Sequence, residues 1–252
     1  MDEEQPSVNR KNSISKIITG MIAVIVPVIG LFTAIVQIPS VGNLFAQYLL
    51  QGNQDVGLKA VFKQSNDFLS SEKGRLKEYI QNSKDEIWLS GTSFYISVPQ
   101  YEETILQKLK ECVSFTFIIL NPESDDYINT AKSMGYTPER LTYIVKEGIS
   151  ALVELDKKRK LQNVCSRFSV WLTKRPFSSR IYMFDPGKET GSTYLVPQVY
   201  GKDSTRLPGF LLSNAYDRYH LNYLNGMQEL TNEDTSITLS EWLKKNPTYL
   251  GK

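Results

Sequence analysis

From Ile17 to Val36 the chain runs through about twenty residues with no charged side chain, rich in Ile, Val, Met, Leu and Phe. At a helical rise of about 1.5 Å per residue, such a run crosses the roughly 30 Å hydrocarbon core of a bilayer. Two other readings compete, a buried core helix and a cleaved secretory signal. A signal has an apolar region of about 7 to 15 residues that ends at a small-residue cleavage site. Here the run is longer and continues into Gln37, Ile38 and Pro39 with no such site. It reads as a retained transmembrane helix, and Pro27 is compatible with that because membrane helices tolerate proline.

The expected organisation is a polar tail at 1–16, the transmembrane helix at 17–36, interfacial or linker helices at 37–83, and an α/β domain at 84–252. Arg10, Lys11 and Lys16 precede the apolar run and no Lys or Arg follows until Lys59. That asymmetry favours a cytoplasmic N-terminus and an external domain. The uncharged stretch that continues through Leu44, Phe45, Tyr48 and Leu49 keeps the opposite side open, as an interfacial helix or the return limb of a re-entrant hairpin. The expected location is a single-pass membrane protein, in a bacterial inner membrane, with the side of the domain left undecided.

About 195 residues beyond the anchor and its flank suffice for one packed domain. The formal charge of +2 offers no strong nucleic-acid signal. Cys112 and Cys165 are too few for a disulfide framework and have no metal-ligand spacing. They are expected as buried free thiols, with a single bridge only in an oxidising compartment. One histidine, His220, excludes a multi-histidine metal site, and no cofactor is expected.

Along the domain, 57–83 carries Leu58, Val61, Phe62, Phe68, Leu69, Leu76, Tyr79 and Ile80 among charges, which reads as one or two amphipathic helices broken near Gly74. A strand at 86–90, a helix at 101–112 and a strand at 113–120 form a βαβ unit, so a parallel sheet covered on both faces is expected. Helical patterning from Pro138 to Lys160 follows Thr137 as N-cap, and Lys157, Lys158, Arg159 and Lys160 crowd its end. Strand-like runs cover 168–173, 180–184 and 193–199. A helix begins near Ser213 or Asn214, and another spans 239–245.

Three stretches carry a family resemblance: Ile87-Trp88-Leu89-Ser90-Gly91-Thr92-Ser93, Val113 to Pro122, and Arg180 to Asp185 with Gly187. On these, residues 85 to 230 resemble one half of the phospholipase D-like fold, an α/β sandwich. Placing Asp185 on that family's signature aspartate sets Arg180 on the signature lysine and Ser178 on the nucleophilic histidine. The resemblance therefore implies retained phosphate affinity with lost turnover, since a serine without a base is a poor nucleophile at neutral pH while a guanidinium presents a fork of donors to phosphate. The implied ligand-binding set is Arg180, Asp185, Ser178, Thr92 and Ser93. The candidates for residual catalysis are His220, Asp185 and Ser178. An Arg-Asp pair stabilising a turn, and a core histidine at 220, are the plainer alternatives.

Isolated halves of the family pair up, so the resemblance also implies a homo-oligomer, a dimer or larger. The lipid bilayer is the first expected partner, and a nucleotide or protein activator the second. Small membrane effectors of this layout serve in bacterial antiviral defence, which suggests growth arrest through membrane damage. Two alternatives stay open. One is a membrane-bound phosphodiesterase or phospholipase with a non-standard site. The other is a Rossmann-like cyclic-nucleotide sensor whose ligand is held by the loop from Gly91 to Ser97.

Overall fold

The computed structural model describes residues 57–250 except 71–73, Asn163, Ser166 and Tyr216. The tail at 1–16, the anchor at 17–36 and the first part of the linker lie outside the described residues. Among the described residues no helix is long and apolar enough to cross a membrane.

The elements run β1 (Leu58–Phe62), α1 (Asn66–Leu69), α2 (Leu76–Asn82), β2 (Glu86–Gly91), α3 (Ser97–Lys110), β3 (Ser114–Leu120), α4 (Tyr127–Ser133), α5 (Pro138–Leu161), β4 (Phe168–Thr173), β5 (Ser179–Phe184), β6 (Ser192–Pro197), β7 (Gly209–Ser213), α6 (Asp217–Glu229), β8 (Ser236–Thr238) and α7 (Leu239–Lys245). They build a mixed α/β fold around one eight-stranded sheet in the order β1-β7-β6-β5-β2-β3-β4-β8.

Only β2, β3 and β4 are parallel neighbours. The remaining pairs are antiparallel, so the expected all-parallel sheet is corrected to a mixed one. Parallel neighbours need a crossover of a dozen or more residues. Helices α3 and α5 supply two such crossovers, whereas the chain between β5, β6 and β7 is too short to carry a helix back across the sheet.

The linker expectation fails in its second half. Leu58, Ala60 and Phe62 point inward while Lys59 and Val61 point out, a period of two that makes an edge strand paired with β7. Phe68, Leu76 and Ile80 are buried in the main core, and the Phe68 ring stacks on Tyr194 at 3.8 Å between centroids. Residues 57–83 are thus part of the domain. The sheet had room at its β7 edge, and the inward-facing side chains gain more from that burial than a free amphipathic helix would.

One face of the sheet carries the main core, in which Ile87, Leu89, Phe115, Phe117, Leu172, Tyr182 and Phe184 meet the helices. The other face has a smaller cluster, where Ile118 and Met183 meet Met227 of α6. Helix α5 starts as expected, with Thr137 accepting a hydrogen bond from the Arg140 backbone and Pro138 in the first turn.

The cysteines are not buried thiols. Cys112 and Cys165 are exposed and joined in a disulfide, with Cα atoms 5.1 Å apart across a separation of 53 residues. The register explains the meeting: Phe115 of β3 pairs with Phe168 of β4, and each cysteine stands three residues before its strand's partner (115 − 112 and 168 − 165). Parallel pairing carries both to the same edge.

Candidate anion-binding site

The carboxyl end of β2 opens onto a cavity of about 250 Å³. Its first wall is the loop that leaves β2, Thr92 to Ile96, continuing into Ser97 of α3. Its second is Arg180, which sits beside Gly91 because Ser90 pairs with Ile181 in the antiparallel register. The third comes from the turn between α4 and α5, Met134 and Tyr136, with Arg140 in the first turn of α5. Asp203 and Thr205, in the connection from β6 to β7, close the ring.

The polar groups are organised by short bonds. Arg180 Nη2 donates to Ser204 Oγ at 2.8 Å. The Asp203 carboxylate caps the 3₁₀ turn at Ser204–Arg206, accepting from the Thr205 backbone at 2.9 Å and its hydroxyl at 2.8 Å. The guanidinium of Arg140 lies 4.6 Å above the Tyr136 ring, a cation–π arrangement that leaves its edge donors free. No carboxylate among the described residues comes within 4.0 Å of Arg180 or Arg140.

The electrostatics agree with that picture. Burial pushes the Asp203 carboxyl upward, but hydrogen bonds from Thr205 and Tyr136 and the nearby Arg180 charge outweigh it and hold the group below its ordinary range. Burial raises the Tyr136 hydroxyl, helped by the Asp203 charge and opposed by Arg140. Tyr182, buried at the floor, is raised by desolvation against the opposing influence of Arg180 and of a hydrogen bond with Ser97. Both phenols stay neutral donors near neutral pH.

Of the residues singled out from sequence, Thr92, Ser93 and Arg180 line the cavity. Ser178 is exposed and outside it, and its carbonyl accepts from the Gln198 backbone at 2.9 Å. Asp185 stands at the other end of β5 from Arg180, roughly 16 Å away along a strand that rises about 3.3 Å per residue. With φ at 49°, its carboxylate accepts the backbone N–H groups of Lys84, Asp85 and Glu86 at 2.8 to 3.1 Å. It clamps the entry to β2, outside the cavity, and the alternative Arg180–Asp185 pair does not form either.

His220 is a buried residue of the first turn of α6, with Nε2 2.5 Å from the Pro186 carbonyl and Nδ1 3.3 Å from Thr193 Oγ1. It is a core histidine, not a lining residue. The lysine-rich end of α5 is likewise spoken for: Lys157 pairs with Glu154, Lys158 with Glu102, and Arg159 and Lys160 with Asp156. Among the described residues no group of three or more His, Cys, Asp and Glu is arranged to hold a metal.

Arg140 and Tyr136 escaped the sequence reading, although Arg140 carried a signal. A cation in the first turn of a helix opposes the macrodipole, and its presence there asks for a compensating anion. The segment from Tyr200 to Arg206, which contributes Asp203 and Thr205, is a run of mixed polar residues with no motif.

No protein-family model matches this chain, and no curated protein matches it. Among solved structures it is similar to TrmBL2, an archaeal chromatin protein with a novel mode of DNA binding, at 10% identity over 88% of this chain and 69% of that one, with a TM-score of 0.41. It is similar to the phospholipase D family member Nuc from Salmonella typhimurium, at 13% identity over 67% and 93%, with a TM-score of 0.36. The phosphatidylserine synthase of Haemophilus influenzae Rd KW20 is a third, at 9% identity over 71% and 38%, with a TM-score of 0.46. At these identities the likeness is one of chain path and not of side chains.

Proposed function

We propose that this chain is a membrane-anchored phospholipase D-like sensor or effector that holds a phosphate-bearing small molecule without hydrolysing it and acts through self-association at the bilayer. The observation that carries the ligand reading is Arg180. Its half-buried guanidinium faces the cavity with a hydroxyl as hydrogen-bond partner. A partly desolvated cation with spare donors is stabilised by an anion that accepts from them. Arg140 and Ser93 supply further donors at phosphate scale, while the Tyr136 and Thr205 hydroxyls are committed to Asp203. The cavity suits inorganic phosphate, a sugar phosphate or a compact nucleotide.

The non-hydrolytic part rests on what surrounds the anion. His220 has both ring nitrogens engaged elsewhere, and Ser178 and Asp185 stand outside the cavity, so none of the three candidates offers a nucleophile to a phosphate on Arg180. The cyclic-nucleotide reading keeps one observation in its favour, because the loop from Thr92 to Ser97 lines the cavity at the carboxyl end of β2. It differs in the ligand, not in the place.

The test is a thermal-shift and calorimetric screen of the detergent-solubilised full chain against phosphate, sugar phosphates and cyclic oligonucleotides, repeated with Arg180→Ala. A ligand that raises the melting temperature of the parent and not of the variant is the expected result. Turnover of any of them, abolished by His220→Ala, overturns the non-hydrolytic reading. Expression of the full chain, of Arg180→Ala and of an anchor deletion tests the output: growth arrest is expected from the first alone.

A further inference from the structure

Nine large hydrophobic side chains are exposed among the described residues, and four of them, Tyr95, Ile96, Val199 and Tyr200, belong to the two loops that flank the cavity. The second of these loops is held against the turn between α4 and α5. The Gly201 backbone donates to the Ser133 carbonyl at 2.7 Å, and Gly201 packs against Gly135, where an added Cβ would stand 2.9 Å from the Gly201 carbonyl oxygen. Tyr136 then links the loops, through its hydrogen bond to Asp203 and its closeness to Tyr95. Single exposed apolar residues are ordinary on a protein surface. Four on two loops around one cavity mouth are a patch.

The same rim is basic. Lys132, Arg140, Lys202 and Arg206 are exposed on its elements, and none has a carboxylate within 4.0 Å among the described residues. The carboxylates in the stretches from Lys132 to Arg140 and from Val199 to Arg206 are Glu139 and Asp203, and the second is turned inward to Thr205 and Tyr136. The lysine-rich end of α5 is the contrast, being neutralised by its own acids. An unneutralised basic ring carrying tyrosines and aliphatic side chains matches the chemistry of an anionic lipid surface, where amphipathic rings sit at headgroup level and cations meet lipid phosphates.

We infer that the cavity mouth is a membrane-docking surface: Tyr95, Ile96, Val199 and Tyr200 enter the headgroup layer of an anionic bilayer while Lys132, Arg140, Lys202 and Arg206 contact its phosphates. The inference rests on the anchored reading of residues 17–36. The segment from Gln37 to Val56 holds the domain within roughly 70 Å of the bilayer even when fully extended, so the surface is presented to lipid at high effective concentration. Docking shuts the mouth against the bilayer, and the ligand of the Arg180 cavity then enters along the membrane plane or before docking.

The test uses the full chain reconstituted in vesicles of phosphatidylcholine and phosphatidylglycerol in equal amounts, with bromine on the acyl chains as a contact quencher. Tyr200→Trp reports on the rim, and Leu161→Trp on the exposed far end of α5, about 30 Å away along the helix; the emission of the parent chain is subtracted. At least two-fold quenching of the residue-200 emission, none at residue 161, and less at residue 200 with phosphatidylcholine alone are expected. Equal quenching at both positions, no quenching at residue 200, or failure of the parent to float with vesicles overturns the inference. A residue-200 emission that shifts to the blue with protein-to-lipid ratio and stays unquenched assigns the patch to a second copy and overturns it too. Phosphate-dependent thermal stabilisation, measured separately in detergent, is untouched if only the docking surface fails and absent if the ligand reading fails.

Discussion

The two ends of the parallel strands use polar chemistry in opposite ways. At the amino ends, Asp185 takes backbone N–H groups from Lys84, Asp85 and Glu86, Cys112 is bridged to Cys165, and the buried Lys108 is met by Glu111 at 2.6 Å and the Gln81 carbonyl at 3.0 Å. At the carboxyl ends, Arg180 and Arg140 face a cavity with donors to spare. Saturated groups hold a fold together, and groups with open valences wait for a ligand. Helix α5 spans both worlds, with Arg140 at the open end and the ion-paired Lys157–Lys160 run at the closed one.

That contrast predicts that amino-end variants lose stability and keep binding, while carboxyl-end variants do the reverse. The largest effect belongs to the disulfide, which closes a long loop: Cys112→Ser is expected to cost about 2 to 4 kcal/mol of unfolding free energy, read by denaturant titration, with phosphate affinity unchanged. Next is Arg180→Ala. Loss of charged hydrogen bonds worth about 1.5 to 3 kcal/mol weakens ligand affinity by roughly 10- to 100-fold in calorimetry, with little change in denaturation midpoint. Asp185→Ala follows at about 1 to 3 kcal/mol of stability through the orphaned N–H groups, and a ligand affinity that fell with it would break the comparison.

A pH titration separates the ends more gently. The Tyr101 hydroxyl, donating to the Leu69 carbonyl at 2.6 Å, is pushed by burial from 10.0 up to about 12, with the neighbouring Tyr182 adding to the rise. In the unfolded chain it ionises near its ordinary value, so its contribution is complete below pH 10 and disappears as pH rises toward 12. Tyr101→Phe should flatten the alkaline stability profile in that window. Smallest of all is Lys158→Ala, which breaks an exposed ion pair with Glu102. It should change stability by at most about 0.5 kcal/mol and affinity not at all; a clear loss of affinity would move the anion site to the wrong end of α5.

Legibility from sequence followed the range of the interactions. The start of α5, with Thr137 and Pro138, was readable because capping is settled within one turn. Strands β2, β3, β4, β5 and β6 were readable from their apolar β-rich runs. Strand β1 reads as helix from sequence because Leu58, Val61 and Phe62 also fit a helical spacing, and the alternation that decides the matter has meaning only beside β7. Strands β7 and β8 left too short a signal, and α4 was hidden behind a turn-rich stretch. In the site, Thr92, Ser93 and Arg180 were found through the resemblance, whereas the same resemblance sent Ser178 and Asp185 to places the fold uses otherwise.

The sequence by itself determined the start of α5, the runs that become β2 to β6, the apolar run at 17–36 and the lack of a second histidine, because these depend on composition and on contacts within a few residues. Tertiary structure decided which strands run parallel, that Cys112 meets Cys165, and that Arg180 and Arg140 share a cavity with Asp203 and Thr205. Those are matters of register between segments tens of residues apart, and the free energy that selects a register is gained only when whole faces are buried together.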